Sequence, residues 1–155
     1  MKYAIVDGAR QEASPDARGT CPVCDAALTP KCGKIRVPHW AHPPGIVDHR
    51  WEPETAWHRL WKALFPRECQ EVVLQAFDGE KHIADVKTAH GRVLELQHSP
   101  ISDEERRSRE EFHRPMYWIV DGQRLKRDRP RFIEGRRVVM IASSRLEIRN
   151  GGRMT

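Results

Sequence analysis

The amino-acid sequence predicts a mixed α/β fold, in which a helix, three strands, a second helix and a further strand follow a small N-terminal module. Three observations predict it. Apolar residues recur with helical spacing soon after residue 52, three short apolar runs separated by turn residues come next, and residues 14–50 are rich in Pro, Gly, Cys and His. We therefore expect the 155 residues to divide into a module at 1–50, an α/β domain at 51–149 and a disordered tail at 150–155.

The N-terminal module begins with one predicted strand, from Lys2 to Val6, and is otherwise expected to be irregular. No apolar run in the chain reaches the ~18 residues of a membrane span, and the N-terminus lacks the apolar stretch of a secretory signal. A cytoplasmic location is expected, where thiols stay reduced. The four cysteines then favour metal binding over disulfides.

Two close pairs of metal-binding side chains lie in this module, and they predict a zinc site. Cys21 is two residues from Cys24, and His39 is two residues from His42. Two thiolates and two imidazoles complete the tetrahedral shell of a structural zinc ion, with no position left for catalysis. The metal would supply folding free energy that so polar a segment does not obtain from burial. Cys32 is an alternative to one of the histidines, and the remaining alternative is four unrelated loop residues.

The α/β domain is predicted to begin with an amphipathic helix whose apolar stripe packs on the sheet. The stripe consists of Trp57, Leu60, Trp61 and Leu64. Pro53 suits the first turn of this helix, and Pro66 lies beyond its end.

The remaining elements follow from turn and capping signals. Strands are predicted at 72–77, 83–86 and 93–97 as an antiparallel meander, because Asp-Gly and His-Gly pairs separate them. Ser102 and Glu105 form a capping box, so the second helix should begin there and run to about residue 112. Further strands are predicted at 116–120 and 138–142.

The hairpin joining the second and third strands of this meander is predicted to bring two carboxylates together. With a three-residue loop at 89–91, Asp85 lies opposite Glu95, and their Cβ atoms are ~5 Å apart on one face. Two facing anions are destabilising, and a divalent cation between them would remove the repulsion. Carboxylate oxygens suit Mg²⁺ or Mn²⁺, so this pair is interpreted as a metal site.

Further polar residues are predicted to face the same cleft. Gln97 shares the strand face of Glu95, where its amide would orient a water molecule or a phosphate oxygen. Glu54 and His58 are four residues apart and stack on one side of the first helix, with Lys62 one turn further. Taken singly, each of these residues is more typical of an exposed helix pair, a turn or a solvent-facing strand than of a site. Taken together, they indicate a catalytic cleft.

In this order, the residues resemble the PD-(D/E)XK nuclease superfamily and, more narrowly, the competence protein CoiA family. The pieces that carry the resemblance are CPVC, HWAH, ETAWHRLWK, IADV, VLELQHSPIS, ERRSRE and YWIVDG. The resemblance implies an α-β-β-β-α-β core after a zinc-ribbon-like module, with Asp85 and Glu95 as ligands of catalytic Mg²⁺ or Mn²⁺. It also implies catalytic roles for Glu54 and His58, and it places Gln97 where the superfamily more often has lysine.

The implied function is that of a cytoplasmic deoxyribonuclease, linked to DNA uptake or recombination, that hydrolyses phosphodiester bonds. DNA is the expected partner, and the net charge of +5 agrees with a polyanion. No membrane partner is expected, and a homodimer is compatible with nucleases of this type. The cations expected to contact phosphates are Lys34, Arg36, Lys62, Arg106, Arg107 and Arg109. Two alternatives stay open: a non-catalytic zinc-containing nucleic-acid-binding module, and a subunit of a larger complex.

Overall fold

The protein is described by a computed structural model that covers residues 1–45, 54–127, 129–131 and 133. The fold is mixed α and β, with two sheets. Contacts within the chain define one compact unit at Met1–Val120 and a second at Asp121–Thr155. The predicted boundary near residue 50 and the predicted strand at 138–142 lie outside the described residues, as does the tail at 150–155.

The N-terminal segment forms a five-stranded antiparallel sheet rather than a single strand followed by irregular chain. The strands are β1 (Tyr3–Val6), β2 (Ala9–Glu12), β3 (Gly19–Thr20), β4 (Ala27–Lys31) and β5 (His39–Ala41). Their order in the sheet is β2-β1-β3-β4-β5. Strands of two to five residues are too short to show an alternating pattern, which is why the sequence predicted only the first of them.

The buried indole of Trp40 is the centre of this sheet's core, together with Ala4, Cys21 and Leu28. Gly19 is required beside it. A Cβ atom added at this position would lie 2.8 Å from the Cβ of Ala4 and 3.1 Å from the Trp40 ring. The small core therefore depends on the large side chain of Trp40 and on a residue without a side chain at Gly19.

The second sheet has the strand order β6-β7-β8-β9. Its strands are β6 (Gln70–Gln75), β7 (Lys81–Lys87), β8 (Val93–Gln97) and β9 (Met116–Val120). The first three pair antiparallel, and β9 runs parallel to β8. A helix precedes β6 and another joins β8 to β9, so the described order from residue 56 to residue 120 is the predicted one, with an added 3₁₀ turn at Arg67–Cys69.

The first helix, α1 (Ala56–Lys62), buries the row beside the predicted apolar stripe most deeply, while Trp57 and Trp61 of the stripe are partly buried. Leu60 and Leu64, half of the apolar stripe, are each 71% exposed, whereas His58 and Lys62 are buried. The prediction that the stripe packs on the sheet is wrong for these two leucines. Spacing shows that two faces exist, but the buried acids around Lys62 decide which of them lies inside.

The second helix, α2 (Asp103–Phe112), begins and ends where the sequence predicted. The hydroxyl of Ser102 caps it by accepting a hydrogen bond from the backbone N–H of Glu105 at 3.1 Å. Three acidic residues in the first turn favour this end of the helix electrostatically. Among the described helices, none has the length and apolar character needed to cross a bilayer.

Candidate functional site

The hairpin of β7 and β8 brings Asp85 and Glu95 together. Val86 pairs with Leu94 and Lys87 with Val93, a register that leads to Asp85 and Glu95 as the next facing positions. The loop has the predicted length, because the N–H of Thr88 donates to the carbonyl of Arg92 at 2.8 Å. Gly91 adopts the left-handed conformation (φ 77°) that such a loop needs.

Where β7 and β8 separate, backbone N–H groups of the two strands donate to the carboxylates of Asp85 and Glu95. The N–H of Asp85 donates to Oε1 of Glu95 at 3.3 Å, and the N–H of Leu96 donates to Oδ2 of Asp85 at 3.0 Å. Each acid is thus fixed by the strand that carries the other. The side chain of Asp85 keeps some exposure, whereas Glu95 is fully buried.

Lys62 lies among three of the acids. Its ammonium nitrogen is 2.8 Å from Oε1 of Glu71, 3.0 Å from Oε2 of Glu54 and 3.1 Å from Oδ1 of Asp85. Burial disfavours the charged form, but the three carboxylates outweigh it and hold the pKa of Lys62 well above its usual range. The ammonium is 1% exposed and already bonded to carboxylates, an arrangement that does not favour the predicted phosphate contact.

Glu71 is a site residue that sequence reasoning missed. Its carboxylate accepts hydrogen bonds from the backbone N–H groups of Lys2 (2.7 Å) and Tyr3 (3.0 Å). Burial opposes ionisation, but the charge of Lys62 and the N-terminal amine outweigh it and lower the pKa of Glu71 to about 2. Glu71 also has a left-handed backbone (φ 47°) at the start of β6. The available signal was an acid inside an apolar strand, at the register position facing Asp85.

Glu95 has the opposite electrostatic environment. Burial, and then the negative charge of Asp85, raise the pKa of Glu95 to about 8, although Arg109 donates to its Oε2 at 3.0 Å. The Nε2 atom of His113 is 3.8 Å from Oε1, and burial lowers the pKa of His113 to about 4, so this imidazole is neutral near pH 7. Arg109 is therefore the charged partner of Glu95, and its effect on the pKa is smaller than the combined effect of burial and of the charge on Asp85.

Gln97 and His58 both contact residues that lie near them in the sequence. Gln97 is buried, and its amide nitrogen donates to the carbonyl of Ser99 at 2.6 Å. The Nδ1 atom of His58 lies 2.8 Å from the hydroxyl of Thr55, the residue that caps α1. The remaining predicted residue, Glu54, is buried and paired with Lys62 and with the guanidinium of Arg59 at 2.9 Å.

The arginines of α2 differ in how far they are neutralised. Arg106 pairs with Glu110 at 2.7 Å, and Arg109 pairs with Glu105 at 2.8 Å as well as with Glu95. Arg107 is exposed and forms no ion pair with any residue in the described part of the chain. Of the three predicted phosphate contacts on this helix, Arg107 is the one without an ion pair in the described part of the chain, and Arg106 is partly exposed but paired.

Three of the four predicted zinc ligands come together. The donor atoms of Cys21, Cys24 and His42 all lie within 4.8 Å of one another, and Sγ of Cys24 is 3.6 Å from Nε2 of His42. A turn that follows β3 holds the cysteines, because the N–H of Asp25 donates to the carbonyl of Cys21 at 2.9 Å. Two soft thiolates and an imidazole are a donor set that fits zinc. This group can hold a metal ion such as zinc.

His39 and Cys32 are outside this group. The Nδ1 atom of His39 is 2.9 Å from the carbonyl oxygen of Val37, which sets this nitrogen as a donor and leaves Nε2 as the lone-pair atom. Cys32 is partly buried against the core around Trp40. Within the described ranges, no other set of three or more His, Cys, Asp or Glu residues has its donor atoms this close together. The acids near Lys62 are not such a set, because their oxygens surround its ammonium.

Comparison of the chain with models of protein families, with characterised proteins and with solved structures finds no match.

Proposed function

We propose that the protein is a metal-dependent nuclease that hydrolyses phosphodiester bonds in DNA, with Mg²⁺ or Mn²⁺ held by Asp85 and Glu95. One observation carries the proposal: two carboxylates are fixed face to face where a hairpin opens, and one of them is too buried to ionise beside the other. A hard divalent cation supplies the missing positive charge. The helix-strand-strand-strand-helix-strand order supports a PD-(D/E)XK-like core.

In this proposal, the chain's own residues hold and orient the reactants. A divalent cation at such a site lowers the pKa of a bound water molecule and polarises the phosphoryl oxygen. Asp85, the more exposed acid, faces the substrate side, while Arg109 fixes the buried carboxylate of Glu95. Gln97 orients the attacking water once its amide leaves Ser99, and the buried His58 is the imidazole proposed for proton transfer.

Lys62 supplies a positive charge from the chain itself at the edge of this cleft. Its single charge lies between Glu54, Glu71 and Asp85 and reduces their mutual repulsion, so the acids remain close together without a second metal ion. The amide of Gln97 carries no charge. The positive charge beside Asp85 comes instead from Lys62 on α1, whose ammonium nitrogen is 3.1 Å from Oδ1. We propose that Lys62 positions Asp85 and does not contact the substrate.

In the N-terminal sheet, we propose a structural zinc ion on Cys21, Cys24 and His42, with His39 as the fourth ligand. The tautomer fixed by Val37 supports this assignment, because it leaves Nε2 of His39 ready to bind a metal. Four protein ligands close the shell, so the ion would stabilise the sheet and take no part in hydrolysis.

A cleavage assay tests the proposed function. The zinc-loaded chain is incubated with supercoiled, linear duplex and single-stranded DNA in Mg²⁺ or Mn²⁺, and with Ca²⁺ in their place. We expect cleavage with Mg²⁺ or Mn²⁺ and a loss of at least 100-fold in Asp85→Asn and Glu95→Gln. Glu104→Gln, an exposed carboxylate on α2, is the matched control and should keep full activity. Equal cleavage rates in all four proteins would contradict the proposal.

A second candidate, a non-catalytic zinc-containing nucleic-acid-binding module, is favoured by one observation. The acids are already paired with Lys62, Arg59 and Arg109, so the cluster is largely neutralised by the chain itself. This candidate predicts DNA binding that weakens with salt, needs no Mg²⁺ and is never followed by cleavage.

A further inference from the structure

The loop between β4 and β5 carries an apolar side chain between two cations at its tip. Ile35 is 99% exposed, and the neighbouring Lys34 and Arg36 are exposed as well. Neither cation forms an ion pair with a residue in the described ranges. An isolated exposed apolar residue is ordinary, but one at a loop tip and flanked on both sides by unpaired cations is a specific arrangement.

The base of this loop is firmly held. Lys31 pairs with His39 across the two strands, and Pro30 pairs with the buried Trp40. The Nδ1 atom of His39 is bonded to the carbonyl of Val37, which lies directly after the tip. The tip therefore projects from a fixed base, and the cost of ordering on binding falls mainly on its exposed side chains.

We propose that this tip is a wedge for double-stranded DNA: Ile35 inserts between base steps from the minor groove, and Lys34 and Arg36 contact the phosphates on either side. Aliphatic side chains are used in this way by proteins that kink DNA. The Cα atoms of residues 34 and 36 are at most about 7 Å apart, and the minor groove is about 6 Å wide. Each cation therefore reaches one of the two strands that border the groove.

An anionic membrane is the other surface that attracts an apolar residue between cations. A single aliphatic side chain buries too little apolar area for stable membrane attachment, whereas a wedge requires only one. DNA is thus the partner that the tip fits. The inference concerns binding and bending, and it stands or falls independently of whether Asp85 and Glu95 cleave the strand.

A natural control lies at another tip of the same chain. Phe77, in the turn between β6 and β7, is also fully exposed, but Asp78 and Glu80 follow it. Those carboxylates repel phosphates, so Phe77 should contribute nothing to DNA binding. Comparison of Ile35→Ser with Phe77→Ser therefore separates a wedge from general surface hydrophobicity.

The experiment measures base unstacking and bending in one duplex of about 20 base pairs. A central TA step, the most easily opened kind, carries 2-aminopurine, and dyes at the two ends report bending by energy transfer. The zinc-loaded wild-type chain is used with Ca²⁺ in place of Mg²⁺, and the measurement is repeated in Glu95→Gln. We expect at least a twofold rise in 2-aminopurine fluorescence together with a shorter end-to-end distance.

The variants decide the outcome. Ile35→Ser should abolish both signals while Kd changes less than tenfold, and Phe77→Ser should change neither. Lys34→Ala with Arg36→Ala should weaken binding and reduce the slope of log Kd against log salt by about 1.8. The proposal is overturned by wild-type binding without a fluorescence rise, by an Ile35→Ser variant that behaves like its parent, or by absence of DNA binding. Ile35-dependent binding to phosphatidylserine vesicles without DNA unstacking would overturn it in favour of a membrane partner.

Discussion

The ammonium of Lys62 lies 2.8 Å from the carboxylate of Glu71, and this pair joins α1 to the first strand of the second sheet. Both side chains are buried, and the same carboxylate also accepts hydrogen bonds from the backbone of Lys2 and Tyr3. A single acid therefore connects the helix, the second sheet and the N-terminal sheet. Four predictions concern this arrangement and its surroundings.

Replacement of Lys62 by Met should strongly destabilise the protein. The change keeps most of the side-chain volume but leaves three acids, Glu54, Glu71 and Asp85, without their shared cation. Loss of one partner from a buried ion pair costs about 3–5 kcal/mol. Urea unfolding of Lys62→Met measures the cost, and Lys81→Met, at an exposed lysine on β7, is the control, which should stay within about 0.5 kcal/mol of wild type. Similar unfolding midpoints for the two variants would show that Lys62 is not buried among the acids.

The stability of the zinc-loaded protein without Mg²⁺ should fall as the pH rises from about 6.5 to 8. Below pH 6.5, His113, whose pKa is lowered to about 4, contributes the opposite slope, because the unfolded chain binds the proton that the folded state excludes. The folded state keeps the proton of Glu95, whose pKa is raised to about 8, whereas the unfolded chain loses it near 4.5. Because the folded state binds more protons in this window, its stability decreases by up to about 1.4 kcal/mol per pH unit. Glu95→Gln removes this dependence and should be more stable than wild type above pH 8.

The control for this pH dependence is Glu104→Gln, which changes an exposed carboxylate and should keep the wild-type slope. Urea unfolding at pH 6, 7, 8 and 9 gives the comparison. A wild-type slope equal to that of Glu95→Gln would show that the carboxyl group of Glu95 is ionised throughout. Addition of Mg²⁺ should also flatten the wild-type slope if the ion binds to the ionised carboxylate.

The N-terminal sheet should contain one zinc ion per chain and lose it in Cys24→Ser and His42→Ala. Both residues belong to the group of donor atoms that lie within 4.8 Å of one another, whereas Cys69 does not. Elemental analysis of the purified variants gives the stoichiometry, and thermal unfolding shows the expected loss of stability. Cys69→Ser should retain the metal, and His39→Ala tests the fourth position. Full zinc content in Cys24→Ser would exclude this site.

Double replacement of Leu60 and Leu64 by Lys should change the free energy of unfolding by less than about 1 kcal/mol. Each is 71% exposed, Leu60 on α1 and Leu64 just beyond its end, and surface substitutions usually stay within about 0.5 kcal/mol. Leu96→Ala, in the buried centre of β8, should instead cost about 2–5 kcal/mol. If the double variant were destabilised as much as Leu96→Ala, the stripe would be packed inside, as its spacing alone suggests.

The hairpin was predictable from the sequence, and the reason is local. The loop length at 89–91 determines the register, and the register determines that Asp85 and Glu95 face each other. The start of α2 was predictable for the same reason, since Ser102 and Glu105 are three residues apart. Signals of this kind depend only on residues close together in the sequence. They therefore predict local structure without knowledge of the rest of the fold.

The inward face of α1 and the role of Glu71 were not predictable in this way. Both depend on contacts between residues far apart in sequence, such as the bond between the N–H of Lys2 and the carboxylate of Glu71. Hydrophobic spacing favours the leucine face as the buried one, and only the assembled acids reverse that preference. The short strands of the N-terminal sheet were missed because each is only two to five residues long and shows no pattern by itself, although most of them pair with the next strand in the chain.

The hydrogen bonds from Lys2 and Tyr3 to Glu71 determine what a shortened chain would be. A fragment that starts at residue 54 lacks both backbone donors, so the carboxylate of Glu71 would keep its bond from Lys62 but lose the other two of these three hydrogen bonds. Dissection of the protein at the 46–53 segment therefore does not separate two independent pieces. The N-terminal half supplies the two backbone N–H groups that bind the buried carboxylate of Glu71. An isolated C-terminal piece would therefore contain an altered site, not a smaller version of the same site.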